Sequence, residues 1–168
     1  MVIVLMGVCG CGKTTVGKAM SDQLGWPFYD ADEFHSAANV AKMEAGQPLT
    51  DEDRLPWLQD MANSIDRWTQ QRQDAILACS ALKSSYRQML REGQPEIQFV
   101  FLTGDQALLE QRMANRKDHY MPAQLLESQL ETLEEPVDAL VMDFDQPADQ
   151  IARAICQALN IQRGANEF

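Results

Sequence analysis

Positive charge is scarce in this chain. Lys and Arg total 14 against 25 Asp and Glu, a formal net charge of -11 over 168 residues. Nucleic acid and anionic membranes reward a basic surface, so neither is expected as a partner. A local basic pocket for a small anion stays allowed. Long apolar runs are missing as well, and none approaches the ~20 residues that a membrane span needs. Cysteine and histidine are few, at 4 and 2. Cys9 and Cys11, two positions apart among glycines, read as small side chains that fit rather than as zinc ligands, and His35 and His119 complete no cluster. Reduced thiols are therefore expected. The first apolar run begins at Val2, which leaves no room for a leader and sets the expectation of a cytoplasmic protein. There is no repeat or low-complexity tract. The length fits one domain, 1–168, with a core that needs neither disulfide nor metal support.

What is present is concentrated near the start. Gly7-Val8-Cys9-Gly10-Cys11-Gly12-Lys13-Thr14 matches G-x-x-x-x-G-K-[ST], with a strand-length apolar run before it and a helical pattern from Lys13 to about Leu24 after it. Glycines let backbone N–H groups turn inward around an anion, and the helix N-terminus adds partial positive charge. Lys13 is expected to reach the terminal phosphates and the Thr14 hydroxyl to hold Mg²⁺. A nucleoside triphosphate is the implied ligand.

Strand-like runs recur at residues 2–6, 27–29, 75–79, 97–102 and 139–142. Helical spacings lie between them, at Leu58, Met61, Ile65 and Trp68, at Leu126, Leu130 and Leu133, and at Ile151, Ile155, Ala158 and Leu159. This alternation predicts an α/β fold, a parallel five-stranded sheet flanked by helices. The phosphate loop should follow a central strand, at a topological switch point. Roughly 45 residues separate the second and third strands, more than a crossover requires. A substrate-binding insertion is expected there, at about 33–72, and a lid at about 115–122. The tail 162–168 reads as frayed.

Asp30-Ala31-Asp32 closes the second strand, where two carboxylates can divide the tasks of metal binding and acceptor activation. Thr50 or Asp51 reads as a helix cap. Arg54, in an acidic setting, reads slightly better as a surface ion-pair partner than as a clamp on an anionic substrate. The third strand lacks a terminal aspartate, and Lys83, Tyr86 and Arg87 open the next helix, able to donate into the space beside it or to stay exposed. Arg112 and Arg116 share a helical face and can neutralise charge on a transferred phosphoryl group if a lid carries them. Asn115-Arg116-Lys117-Asp118 has its lysine one place late for a guanine-recognition box, so a GTPase is discounted.

Together these pieces resemble the gluconokinase family, small sugar-acid kinases related in fold to shikimate and adenylate kinases. The similarity runs from the phosphate loop to Pro136. Its most specific parts are Asp30-Ala31-Asp32, His35, Asn39, Lys42-Met43, Gly46-x-Pro48-Leu49-x-Asp51-x-Asp53-Arg54-x-Pro56-Trp57-Leu58 and Cys79-Ser80-Ala81-Leu82-Lys83-x-x-Tyr86-Arg87. His119-Tyr120-Met121-Pro122, Leu125-Leu126-x-Ser128-Gln129 and Leu133-Glu134-x-Pro136 follow.

The resemblance implies a phosphate-loop kinase with ATP and Mg²⁺ as cofactors, phosphorylating D-gluconate at its 6-hydroxyl. It implies Lys13, Asp32 and Arg116 as catalytic residues and Thr14 and Asp30 at the metal. ATP would be held by Gly7, Gly10, Cys11, Gly12, Lys13, Thr14, Thr15, Arg112, Gln146 and Pro147. Asp32, His35, Arg54, Lys83 and Arg87 would bind the acceptor, Arg54 through its carboxylate. Homodimers are common in the family. Three departures stand out: Cys9 and Cys11 where serine is usual, Ala31 where glycine is usual, and Asp118 and Tyr120 in a stretch usually reading Gly-His-Phe. Two rival readings remain at this level: the same fold acting on another sugar acid or a shikimate-like acceptor, and an ATP-binding switch without catalysis.

Overall fold

The five strands are β1 (Val2–Met6), β2 (Phe28–Asp30), β3 (Ala75–Ala78), β4 (Ile97–Thr103) and β5 (Leu140–Asp143). They form one parallel sheet in the order β2-β3-β1-β4-β5 in a computed structural model, which describes residues 1–94, 96–115 and 124–161. Strand ends differ from the sequence expectation by one residue or so, as hydrogen-bonded pairing rather than hydrophobicity sets them. The helices are α1 (Lys13–Leu24), α2 (Ala37–Glu44), α3 (Asp51–Gln70), α4 (Ser84–Arg91), α5 (Gln106–Ala114), α6 (Gln124–Thr132) and α7 (Ala148–Ala158).

β1 is the central strand and is buried along its whole length. Its alternating side chains split the core in two. Ile3 and Leu5 join Val16, Met20, Ile151 and Ile155 on the α1 and α7 face. Val2, Val4 and Met6 join Met61, Ile65, Trp68 and Leu90 on the α3 and α4 face. A strand covered on both sides must read as a continuous apolar run, which Val2-Ile3-Val4-Leu5-Met6 does. The predicted stripe of Leu58, Met61, Ile65 and Trp68 is the buried face of α3.

The long connection between β2 and β3 contains a single 3₁₀ turn (Ala31–Phe34), then α2, then α3, which crosses back over the sheet. The start of α3 is well anchored. Thr50 Oγ1 accepts from Asp53 N at 3.1 Å, while Asp53 Oδ2 accepts from Thr50 N at 2.9 Å, a reciprocal capping box. Lys42 Nζ of α2 donates to the same carboxylate at 2.7 Å, and Asn39 Nδ2 donates to the Asp53 carbonyl at 2.9 Å. Asp53 thus ties α2 to the first turn of α3, next to Arg54.

Candidate active site

The chain leaves β1 through the glycine loop and enters α1 at Gly12, whose φ of 95° is left-handed. Gly7 has φ 141°, and a Cβ there would meet the Leu102 carbonyl oxygen at 2.7 Å and Cys11 Sγ at 2.8 Å. Only glycine fits that bend, which turns the loop back over the end of the sheet. Lys13 Nζ donates to the Gly7 and Val8 carbonyls at 2.9 and 3.0 Å, so the ammonium is curled into its own loop. Cys9 and Cys11 are buried.

Beside it, the Thr14 hydroxyl donates to Asp30 Oδ2 at 2.7 Å. Asp30 ends β2 and its Oδ1 accepts from Asp32 N at 3.1 Å, capping the 3₁₀ turn that carries Asp32. Asp32 was expected at the strand end. The turn sets it just past that end, so the two carboxylates serve different positions along one cavity. Ala31 between them is buried, its carbonyl accepts from Trp57 Nε1 at 2.7 Å, and it is not among the residues with positive φ. Alanine therefore carries no backbone strain here.

His35 ends the turn and stacks on Trp57, ring centroids 4.4 Å apart and 12° from parallel. Its Nδ1 is buried with no hydrogen-bond partner among the described residues. Burial first, and Arg54 in addition, hold its pKa below the ordinary value, with Asp32 opposing. A neutral imidazole with an unpartnered polar atom at a cavity wall is suited to hydrogen-bond a hydroxyl-bearing ligand.

One cavity is lined by Lys13, Thr14, Asp30, Asp32, His35 and Arg54, and Trp57, Ser80, Leu82, Leu125, Ser128 and Gln129 are among its other walls. Arg54 Nη1 donates to Tyr86 Oη at 3.1 Å, and among the described residues it has no carboxylate partner. In so acidic a chain that is informative, and it reverses the reading of Arg54 as a surface ion-pair residue.

Lys83 and Arg87 are not among the lining residues. Lys83 Nζ is bound to both oxygens of Asp51, at 2.8 and 2.9 Å. Arg87 is 8% exposed, and its Nη1 donates to the Ala81 and Leu82 carbonyls at 2.9 and 3.2 Å. Ala81 has φ 44°, a left-handed geometry costing a non-glycine residue about 1–2 kcal/mol. Two hydrogen bonds from a charged donor, each worth about 1.5–3 kcal/mol, are enough to hold it. Arg87 thereby braces the loop that carries Ser80 and Leu82 to the cavity.

A second cavity lies on the other side of the phosphate loop. Gly10, Cys11, Gly12, Thr15, Arg112, Asn115, Phe144, Gln146 and Pro147 line it. Arg112 stands over the Phe144 ring at 5.1 Å and donates from Nη2 to the Phe144 carbonyl at 3.1 Å. The expected ATP-site residues, apart from Gly7, which lines neither, thus divide between two cavities that share Gly10 and Gly12. Arg116, His119 and the expected lid, apart from Asn115, lie outside the described residues.

Residue-level reading of the sequence did not single out Gln129 for a role. Its Oε1 accepts from Cys9 N at 2.8 Å, a contact between α6 and the phosphate loop. Glu134, just beyond α6, donates from its N to the Leu82 carbonyl at 2.8 Å and accepts from Ser84 N at 2.8 Å. Only the Ser128-Gln129 pair, polar within a leucine-rich helix, signalled this in advance.

A family model for shikimate kinase matches residues 9–160. The thermoresistant gluconokinase of Escherichia coli is 40% identical, over 94% of this chain and 93% of its own. The gluconokinase of Gluconobacter oxydans is 47% identical, over 81% and 76%. The chain belongs to the gluconokinase family. The crystal structure of a gluconokinase from Sinorhizobium meliloti superposes with a TM-score of 0.79 at 42% identity, covering 97% of both chains. A gluconokinase is a phosphoryl-transferring enzyme of the phosphate-loop kinase fold, and the sheet order and loop described above are those of such a fold. Among the described residues, no helix is long and apolar enough to cross a membrane.

Proposed function

We propose that this kinase transfers the terminal phosphoryl group of ATP to the 6-hydroxyl of D-gluconate, giving 6-phospho-D-gluconate and ADP. Arg54 carries the reading: a cation without a carboxylate partner among the described residues, in the same cavity as Lys13, Thr14, Asp30 and Asp32. An anionic acceptor meets that cation through a bidentate carboxylate pair. The relatives' names supply the identity of the acceptor.

Adenine would lie against Arg112, Phe144, Gln146 and Pro147, with the phosphates passing under the loop glycines, Lys13, Thr14 and Thr15. The loop supports this, since Gly10 and Gly12 line both cavities and Gly12 opens α1 with a left-handed φ of 95°. Lys13 would exchange the Gly7 and Val8 carbonyls for phosphoryl oxygens. The Thr14–Asp30 pair fits Mg²⁺, an ion held by one or two protein oxygens together with phosphates. Bound there, Mg²⁺ supplies charge neutralisation at the phosphates.

Asp32 accepts the proton of the 6-hydroxyl as its oxygen bonds to the γ-phosphorus and the bond to the β-phosphate oxygen breaks. His35 hydrogen-bonds the polyol and Arg54 holds the far carboxylate, so the reacting oxygen is aligned by its opposite end. Arg116 would come from the lid. A cytoplasmic location belongs to the same proposal, as does a homodimer. The test is ATP-dependent ADP release across gluconate, shikimate, nucleoside monophosphates and other sugar acids. Gluconate should give the highest kcat/KM. Turnover of another acceptor without gluconate activity would overturn the substrate and leave the kinase.

A further inference from the structure

Among the described residues, the Arg54 guanidinium is hydrogen-bonded through one hydroxyl. Tyr86 Oη accepts from Arg54 Nη1 at 3.1 Å, and the guanidinium carbon stands 5.7 Å from the Tyr86 ring centroid. The same hydroxyl donates to Asp51 Oδ1, and Lys83 Nζ grips both oxygens of that carboxylate at 2.8 and 2.9 Å. Every proton in this chain of contacts has a forced direction. Guanidinium and ammonium can only donate, and an ionised carboxylate can only accept. Tyr86 must therefore give its proton to Asp51 and its lone pair to Arg54.

The charges reinforce that order. The Lys83 hydrogen bond, then that of Tyr86, holds the Asp51 carboxyl below the ordinary carboxylate range, so it stays an acceptor at neutral pH. Burial, then the Asp51 hydrogen bond, pushes the Tyr86 phenol up, so it stays a donor. Asp51 and Arg54 lie in the first turn of α3, whereas Lys83 and Tyr86 lie at the start of α4. The relay thus spans two helices that pack on the same face of the sheet.

We infer that Tyr86 and Asp51 are positioning residues for acceptor binding, holding the Arg54 guanidinium so that its remaining N–H fork faces the cavity for a carboxylate. This rests on the reading of Arg54 as the carboxylate partner. One N–H of five is engaged by Tyr86, which leaves an opposed pair for bidentate contact. Without the hydroxyl, a long flexible side chain would lose its fixed approach, and the acceptor would have to order it on binding.

The test is steady-state kinetics on the full chain with Tyr86→Phe, Arg54→Ala and the double variant, gluconate and ATP varied separately. Tyr86→Phe keeps the buried ring and should raise the gluconate KM by about 5- to 30-fold, with kcat within about threefold and the ATP KM unchanged. In the Arg54→Ala background the same change should have no further effect. Asp51→Ala, at an exposed position, should shift the gluconate KM the same way and guards against a folding failure in Tyr86→Phe. An equal effect of Tyr86→Phe in both backgrounds, or an ATP KM that moves with it, makes Tyr86 merely structural and overturns the inference. A silent Tyr86→Phe beside a strong Arg54→Ala effect also overturns it while the carboxylate reading survives. An unchanged gluconate KM in Arg54→Ala overturns both.

Discussion

The two ends of the cavity that holds Lys13 and Arg54 are built by different means. The end proposed for phosphate draws on one short stretch, with Cys9, Gly10, Gly12, Lys13 and Thr14 lining it, and much of what it offers is backbone. The acceptor end is assembled from side chains far apart in sequence: Asp32 on a 3₁₀ turn, Arg54 on α3, Ser80 after β3, and Gln129 on α6. A backbone-built site is expected to tolerate side-chain change so long as the chain path is kept, as at Cys9 and Cys11. A side-chain-built site depends on each anchor that aims a functional group, and the Asp53 and Tyr86 contacts are such anchors.

That contrast can be broken experimentally. The largest effect is expected at Lys13, whose ammonium the proposal brings to the transferring phosphoryl group. Lys13→Ala should lower kcat by about 10²–10³-fold or more with circular dichroism unchanged. Near-normal turnover would remove the loop from the chemistry. Next comes Arg54→Ala, expected to raise the gluconate KM by about 10- to 150-fold, the equivalent of 1.5–3 kcal/mol for a charged hydrogen bond, with the ATP KM constant. A shift in the ATP KM alone would move Arg54 to the nucleotide.

Gly7→Ala probes the backbone claim, since its methyl collides with the Leu102 carbonyl in a left-handed geometry. A loss of about 1–3 kcal/mol in urea unfolding is expected, with a raised ATP KM. If stability and ATP binding were both unchanged, the loop would be less constrained than its geometry says.

The smallest effect concerns the α2–α3 anchor, and its sign follows from linkage. The Lys42 hydrogen bond, with the Thr50 amide, lowers the Asp53 pKa from 3.8 to about 2. A depressed carboxylate contributes stability fully above its unfolded pKa and loses it as pH falls through the folded one. The stability gap between wild type and Asp53→Asn should therefore be present at pH 7 and close between about pH 4 and pH 2. A gap constant over that range would show that charge at Asp53 is not what holds the two helices.

The phosphate end was legible because its chemistry is local: a strand, glycines and a helix in order leave one interpretation. The parallel sheet was legible for the same reason, as apolar runs of strand length alternate with helical stripes. The acceptor end was legible only in part. Arg54 looked like a surface residue because neighbouring acids at Asp51, Glu52 and Asp53 offered it partners. In the fold Asp51 turns to Lys83 and Tyr86, and Asp53 turns to Lys42. Lys83 and Arg87 looked like donors into the cavity, yet one is occupied by Asp51 and the other by the strained loop at Ala81. Charge pairing across 30 residues follows from packing, and no local period encodes it.

A contact between the loop and α6 joins the two ends, beside those through Ser80 and Asp30. Gln129 already holds the Cys9 N–H, while the chain just past its helix is sewn to the loop at Leu82 and Ser84. The helix that carries this carboxamide also supplies Leu125 and Ser128 to the wall of the cavity. Loop and cavity wall therefore share a fastening, one piece of backbone at one end and one side chain at the other.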